Sequence, residues 1–110
     1  MALSNIIQLS EFDVTQKIIE SLSNVCTRAV LFSVKNESKD ANQIAEELKL
    51  SISTVYKTLS TLEDLALIEV HKFIFSSEGK KIKKYRSRIG KVEITLDDTE
   101  PILFLHPNKK

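Results

Sequence analysis

An α+β fold is expected for this chain, helices first and a β-hairpin after. Three observations predict it. Apolar residues recur at spacings of three and four from Val14 to Leu62, the signature of helices with one buried stripe. From Leu67 onward the period changes and β-branched and aromatic residues take over. Between Lys80 and Lys91, seven of twelve residues are cations and none is an acid. At 110 residues the chain suits a single domain, 1–110, with an N-terminal extension over 1–24, a core over 25–96 and a tail over 97–110.

The elements follow in order. Residues 2–10 are mixed, with Ile6, Ile7 and Leu9 fitting a brief strand or a helical turn. Asp13-Val14-Thr15-Gln16 reads as a capping box, in which Asp13 accepts from a first-turn N–H and Gln16 reaches back to the cap. Behind it Val14, Ile18, Leu22, Val25, Ala29 and Phe32 make one stripe, with Asn24 a candidate break because asparagine caps helices well. A second capping box, Asp40-Ala41-Asn42-Gln43, opens a short helix with Ile44, Ala45 and Leu48 inward. Ser51 or Ser53 caps a third, which buries Val55, Leu59 and Leu62 and turns Thr54, Tyr56, Lys57, Thr58 and Thr61 outward. Ile68–Phe75 reads as a strand, 76–79 as a turn, and a second strand returns from about Ile82. On it Tyr85, Ser87 and Ile89 share one face, and Lys84, Arg86 and Arg88 the other. Gly90 marks a bulge or bend, after which Val92, Ile94 and Leu96 alternate inward. Pro101 and Pro107 flank the strand-like segment 102–105.

Composition excludes several functions. No apolar run approaches the ~18 residues of a membrane span. The start, MALSNIIQLSEF, has neither the basic nor the apolar region of a secretory signal. One cysteine, Cys26, cannot make an internal disulfide, which fits a reducing cytoplasm. With two histidines, one cysteine and two glycines, neither a zinc cluster nor a phosphate-cradling loop is expected, and no metal or cofactor with it. His71 and His106 read as structural or solvated, Asp97-Asp98 with Glu100 as a solvated turn, and nothing has the spacing of a nucleophile with its base. The chain is expected to bind rather than to catalyse.

The net charge of +1 conceals an asymmetry. Residues 51–92 carry nine basic and four acidic side chains, while 1–50 carry five and seven, and 93–110 two and four. A one-sided positive surface describes the chain better than its pI does.

Helices followed by a hairpin with a basic tip are the order of a winged helix-turn-helix. The stretch Ile44-Ala45-Glu46-Glu47-Leu48-Lys49-Leu50-Ser51-Ile52-Ser53-Thr54-Val55, continued by Leu59, Leu62 and Leu67-Ile68, resembles the core of the ArsR-like winged helix transcription regulators, particularly archaeal ones. The resemblance covers about residues 25–96. It implies a recognition helix over about 53–65 that enters the major groove of double-stranded DNA, and a basic wing over about 76–88 on the flanking backbone or minor groove. Carried over by position, it assigns Ser53, Thr54, Tyr56, Lys57 and Thr58 to the groove. The cation run itself supplies the wing contacts Lys80, Lys81, Lys83, Lys84, Arg86 and Arg88, with Lys84, Arg86 and Arg88 forming a ridge on one face and Lys80 and Lys81 at the tip.

The physics of the residues agrees. Small hydroxyls at a helix N-terminus leave N–H groups and the positive dipole end open to phosphate. A run of cations suits backbone tracking. The expectation is a sequence-specific DNA-binding regulator, a homodimer acting as a repressor, with no evident small-molecule effector. The competing reading is a winged helix protein-interaction module with weak non-specific DNA binding. Three departures from the family pattern stand out. Ala66 occupies a place where glycine often ends the recognition helix, so a different helix stop is expected. The paired cysteines and acid or histidine clusters of metal-sensing members have no counterpart, and Cys26 reads as a small buried residue. The chain finishes strand-like where many relatives end in a dimerising helix, so a dimer would use the long first helix and the apolar chain ends.

Overall fold

The computed structural model describes residues 14–109; the cap at Asp13 and the segment 2–10 lie outside the described residues. Four helices come first: α1 over 14–23, α2 Val25–Ser33, α3 Ala41–Leu48 and α4 Ile52–Asp64. Four strands follow: β1 Ile68–Phe75, β2 Lys81–Ser87, β3 Ile89–Thr95 and β4 Ile102–Pro107. They pair as two antiparallel hairpins, β1 with β2 and β3 with β4. The architecture is that of a winged helix-turn-helix.

Asn24 does break the first helix. Its side chain accepts from Thr27 N–H at 3.1 Å and caps α2. The break changes which residues are buried. Ile18 and Leu22 are inside, as the stripe predicts, but Val25 is 70% exposed and Phe32 is also outside. In their place α2 buries Val30 and Leu31, followed by Val34. A spacing counted through Asn24 assumes one continuous helix, and the cap resets the rotation of α2 against α1. Cys26 is half-buried rather than buried.

The capping box of α3 forms as expected: Asp40 Oδ1 accepts from Gln43 N–H at 2.9 Å and Gln43 Oε1 from Asp40 N–H at 3.0 Å. The helix ends at Lys49, held in the left-handed region with φ 55°, where Leu50 N–H reaches back to the Ala45 carbonyl at 3.0 Å. Ser51 then caps α4 by accepting from Thr54 N–H. The far end of α4 corrects the expectation for Ala66. This alanine takes φ 59°, and Leu67 N–H bonds the Leu62 carbonyl at 2.9 Å, so the helix stops as a glycine would stop it.

The core lies where α2, α3 and α4 meet, around Leu31, Ile44, Val55, Leu59 and Leu62, and it continues into Leu67, Ile68 and Tyr85 at the base of the first hairpin. That hairpin has a bulge between Val70 and Lys72 and turns through Ser76–Lys80, with Gly79 at φ 81°. Ser76 Oγ accepts from both Glu78 and Lys80 N–H groups and braces the turn. Along the other edge of β2, Lys39 and Tyr85 exchange two backbone hydrogen bonds, at 3.0 and 2.8 Å.

The tail becomes β4, and the second hairpin bulges at Gly90, where a Cβ would lie 3.1 Å from the Pro107 carbonyl oxygen. The inward alternation of Val92, Ile94 and Leu96 does not hold. Val92 is half-buried, but Ile94 is 44% and Leu96 73% exposed. The hairpin runs past the helical core: Ile89 at its base is buried in the core, and Val92, Leu103 and Leu105 pack against it half-buried.

Ala66→Gly should stabilise the fold, because glycine removes the left-handed penalty of about 1 kcal/mol at an exposed site. Thermal unfolding followed by circular dichroism should show a midpoint several degrees higher, about 4–8 °C per kcal/mol for a domain of this size.

Candidate nucleic-acid interface

Two elements build the site. The first is the exposed side of α4. Ser53, Thr54, Tyr56 and Lys57 all stand in solvent, and Ser51 Oγ donates to Thr54 Oγ1 at 2.7 Å in a small hydroxyl cluster at the N-terminus. Thr58 corrects the expected set: it is buried, and its hydroxyl donates to the Thr54 carbonyl at 2.8 Å. It lies three residues from Val55 and four from Leu62, so helical geometry turns it to the core side.

The second element is the hairpin β1–β2. On β2, Lys81, Lys83, Tyr85 and Ser87 follow one another at a spacing of two, so all four belong to one face. Tyr85 and Ser87 are buried at the base, while Lys81 and Lys83 extend that face into solvent. Lys80, in the turn, is exposed as well, and the Lys81 ammonium sits 4.1 Å from the centre of the Phe73 ring. That cation–π contact holds an otherwise flexible side chain in place.

The expected ridge of Lys84, Arg86 and Arg88 does not form. Lys84 turns to the N-terminus of α3, donating to Gln43 Oε1 at 2.6 Å with Asp40 Oδ2 at 3.8 Å, and its side chain is only 14% exposed. Arg86 is half-buried and pairs across the ladder with Glu69. Arg88 is exposed but falls in the bend after β2, about 23 Å along the strand from Lys81. The alternation of faces was legible, but what stands opposite each face depends on α3, and that is a tertiary contact.

Between the hairpin, the start of α3 and Tyr56 of α4 lies an open groove of about 640 Å³, lined by Asn42, Tyr56, Lys80, Lys81, Lys83 and Tyr85, with Asp40 and Glu78 also on its walls. Tyr85 was expected on the face opposite Lys84, Arg86 and Arg88 and not as part of a site. The sequence signal that could have found it is its spacing of two from Lys83 and four from Lys81, which puts it on their face. Burial, then the nearby Glu63 carboxylate and Tyr56, push the Tyr85 phenol above its ordinary pKa. It therefore stays a neutral hydrogen-bonding group throughout the physiological range.

His71 is exposed at the bulge of β1, and His106 Nε2 lies 3.0 Å from Glu93 on the second hairpin. Among the described residues no group of three His, Cys, Asp or Glu side chains is placed to hold a metal ion, and no helix is long and apolar enough to cross a membrane.

No protein-family model matches the chain. Over 68 residues it is 35% identical to an uncharacterised HTH-type transcriptional regulator of Methanocaldococcus jannaschii, a match spanning 62% of this chain and 72% of the relative. The chain belongs to the HTH-type transcriptional regulators. Among solved structures, a double mutant of Lactococcus lactis ZitR in its apo form superposes with a TM-score of 0.48 at 24% identity, covering 79% of this chain. This regulator spans 62% of that chain's length. A second structure of the same mutant gives a TM-score of 0.47 at 21% identity, covering 79% of this chain and 66% of that one. As an HTH-type regulator the chain binds DNA, and its helix-turn-helix is α3, the turn at Lys49–Ser51, and α4.

The raised Tyr85 pKa has a sign that can be checked. A phenol whose folded pKa exceeds its unfolded value stabilises the fold fully below about pH 10, and that contribution is lost as pH rises through the folded value. Tyr56→Phe leaves Tyr85 as the single tyrosine. Its ultraviolet titration should still lie above that of the unfolded chain, and removing the Tyr56 contribution should lower it relative to wild type.

Proposed function

We propose that this HTH-type regulator is an ArsR-like winged helix repressor of the archaeal type, acting in the cytoplasm as a homodimer on double-stranded DNA. In this reading α4 enters the major groove, about 12 Å wide, with Ser53, Thr54, Tyr56 and Lys57 toward the base edges and phosphates. Lys80, Lys81 and Lys83 grip the flanking backbone. Repression is by occlusion of the bound site.

The observation that carries the reading is the shared groove. One of its walls is the lysine face of the wing, and Tyr56 of α4 reaches it from the other side beside Asp40 and Asn42 at the start of α3, while Ser53, Thr54 and Lys57 stand in solvent elsewhere on α4. Small polar side chains let a helix approach base edges, and the lysines supply the charge that phosphates attract. A cavity for a small metabolite would be more apolar and more enclosed. Pairing of two copies is supported by the usual geometry of such sites, with half-sites about 34–36 Å apart, and by apolar surface at Val25, Phe32, Leu96 and Phe104 left in solvent.

Selection of bound sites from a randomised duplex pool at near-physiological salt tests this. An inverted repeat is the expected result. A single unrepeated site would discard the dimer, and no enrichment at all would favour a protein-docking role for the fold. On the selected duplex, Lys57→Ala should relax preference at one or two base positions, each worth about 1–3 kcal/mol of discrimination.

A further inference from the structure

We propose that Lys84 is a positioning residue that sets the angle of the wing against the helix-turn-helix, and that it does not contact DNA. The inference rests on the DNA-binding reading of the groove and adds a division of labour within its basic hairpin. Lys83 and Lys84 are neighbours with the same charge on the same strand, and they do different things because they point to opposite faces.

The hairpin meets the start of α3 at two adjacent points, Lys39 just before the helix and Gln43 in its first turn. One is the backbone bridge between Lys39 and Tyr85, with hydrogen bonds of 3.0 and 2.8 Å. The other is Lys84, whose ammonium donates to Gln43 Oε1 at 2.6 Å beside the Asp40 carboxylate. Gln43 Oε1 also accepts from Asp40 N–H at 3.0 Å, so the wing is tied to the same oxygen that closes the capping box of α3. With the foot of the hairpin fixed by the Ser87 N–H on the Val34 carbonyl, the bridge at Tyr85 is the last backbone tie, and the wing beyond it can turn about that point. A second tie one residue along stops rotation about it.

The lever is long enough to matter. The wing turn begins about 13 Å beyond Lys84, four residues at strand rise, so a rotation of about 10° would move the tip lysines by about 2 Å. Displacements of that size separate a phosphate hydrogen bond from none. For Lys84 to reach DNA instead, it would have to give up a charge-assisted hydrogen bond and leave the half-buried Asp40 carboxylate without its cation.

The test compares Lys84→Met with Lys83→Met, both of which keep an apolar stem. Binding is measured by fluorescence anisotropy over a salt series, on the selected duplex and on a random-sequence duplex of equal length. Lys84→Met should weaken the selected duplex about tenfold and the random duplex less than threefold, with the log–log salt slope unchanged. Lys83→Met should weaken both duplexes and reduce the slope by about 1. Lys84→Arg, which keeps the donor and the charge, should restore selectivity. If Lys84→Met does not fold, Lys84→Gln makes the same comparison. A slope reduced by about 1 at Lys84 would make it a direct phosphate contact and overturn the proposal, as would an unchanged affinity for both duplexes. Wild-type protein that binds neither duplex would overturn the DNA reading itself, and the positioning role would fall with it.

Discussion

Two residues held in the left-handed conformation, Lys49 and Ala66, bracket α4, and what this regulator presents to DNA depends on them. At Lys49 the chain leaves α3 and reverses within two residues, which lets Ser51 cap α4 at a fixed angle to α3. At Ala66 the chain leaves α4 and drops Leu67 and Ile68 into the core, where β1 begins. Neither position is a glycine, so each carries a cost of about 1–2 kcal/mol. Burying Leu67 and Ile68, 1% and 3% exposed, returns about 1.5–3 kcal/mol for each side chain. Burial therefore outweighs the strain, and the recognition helix keeps its place with an alanine at its stop.

The second fixed point is the polar knot at the foot of the wing. Ser87 is 1% exposed, yet every group on it is satisfied. Its N–H donates to the Val34 carbonyl at 3.0 Å, its hydroxyl donates to the Ile89 carbonyl at 2.7 Å, and its carbonyl accepts from Asn108 Nδ2 at 2.9 Å. Asn108 Nδ2 also donates to the Lys35 carbonyl, so one residue from the tail ties both hairpins to the end of α2. Leaving such groups unpaired would cost about 1–3 kcal/mol each. Among the described residues, no buried side-chain polar atom is left without a partner. The wing is thus rigid at its foot, while beyond Tyr85 it is held by its own ladder and by Lys84. Mobility should increase toward Ser76–Lys80, the part that must adapt to a phosphate backbone.

What the sequence made legible follows from the range of the interaction responsible. The capping box at Asp40–Gln43, the cap at Asn24, the strand Ile68–Phe75 and the bulge at Gly90 depend on residues a few positions apart, and all were readable from residue type and spacing. Burial beyond a break was not. Val25 and Phe32 fit a helical stripe arithmetically, but the rotation at Asn24 puts Val30 and Leu31 inside. At the candidate site the same division appears. The exposed face of α4 was legible except at Thr58, which a hydroxyl makes look polar although its carbonyl bond to Thr54 lets it be buried. Lys84 looked like one more cation of the wing because its partner, Gln43, is 41 residues away.

That reassignment changes the electrostatics of the interface. Seven cations in twelve residues suggest a strong, indiscriminate hold on nucleic acid. Three of them, Lys80, Lys81 and Lys83, line the groove, and Lys57 stands in solvent on α4 as a fourth cation of the proposed interface. Four phosphate contacts correspond to a salt slope of about −3.6 for one protomer, well below that of strongly electrostatic DNA binders. A single copy would release its site readily as salt approaches physiological levels. Two copies on one inverted repeat would double the slope and make the second contact nearly intramolecular, which raises affinity without any new contact. On the homodimer reading, an interface with modest charge and a hydroxyl-rich reading helix would favour sites that satisfy two protomers at once over random duplex that satisfies one, and its selectivity would arise from pairing as much as from any single side chain.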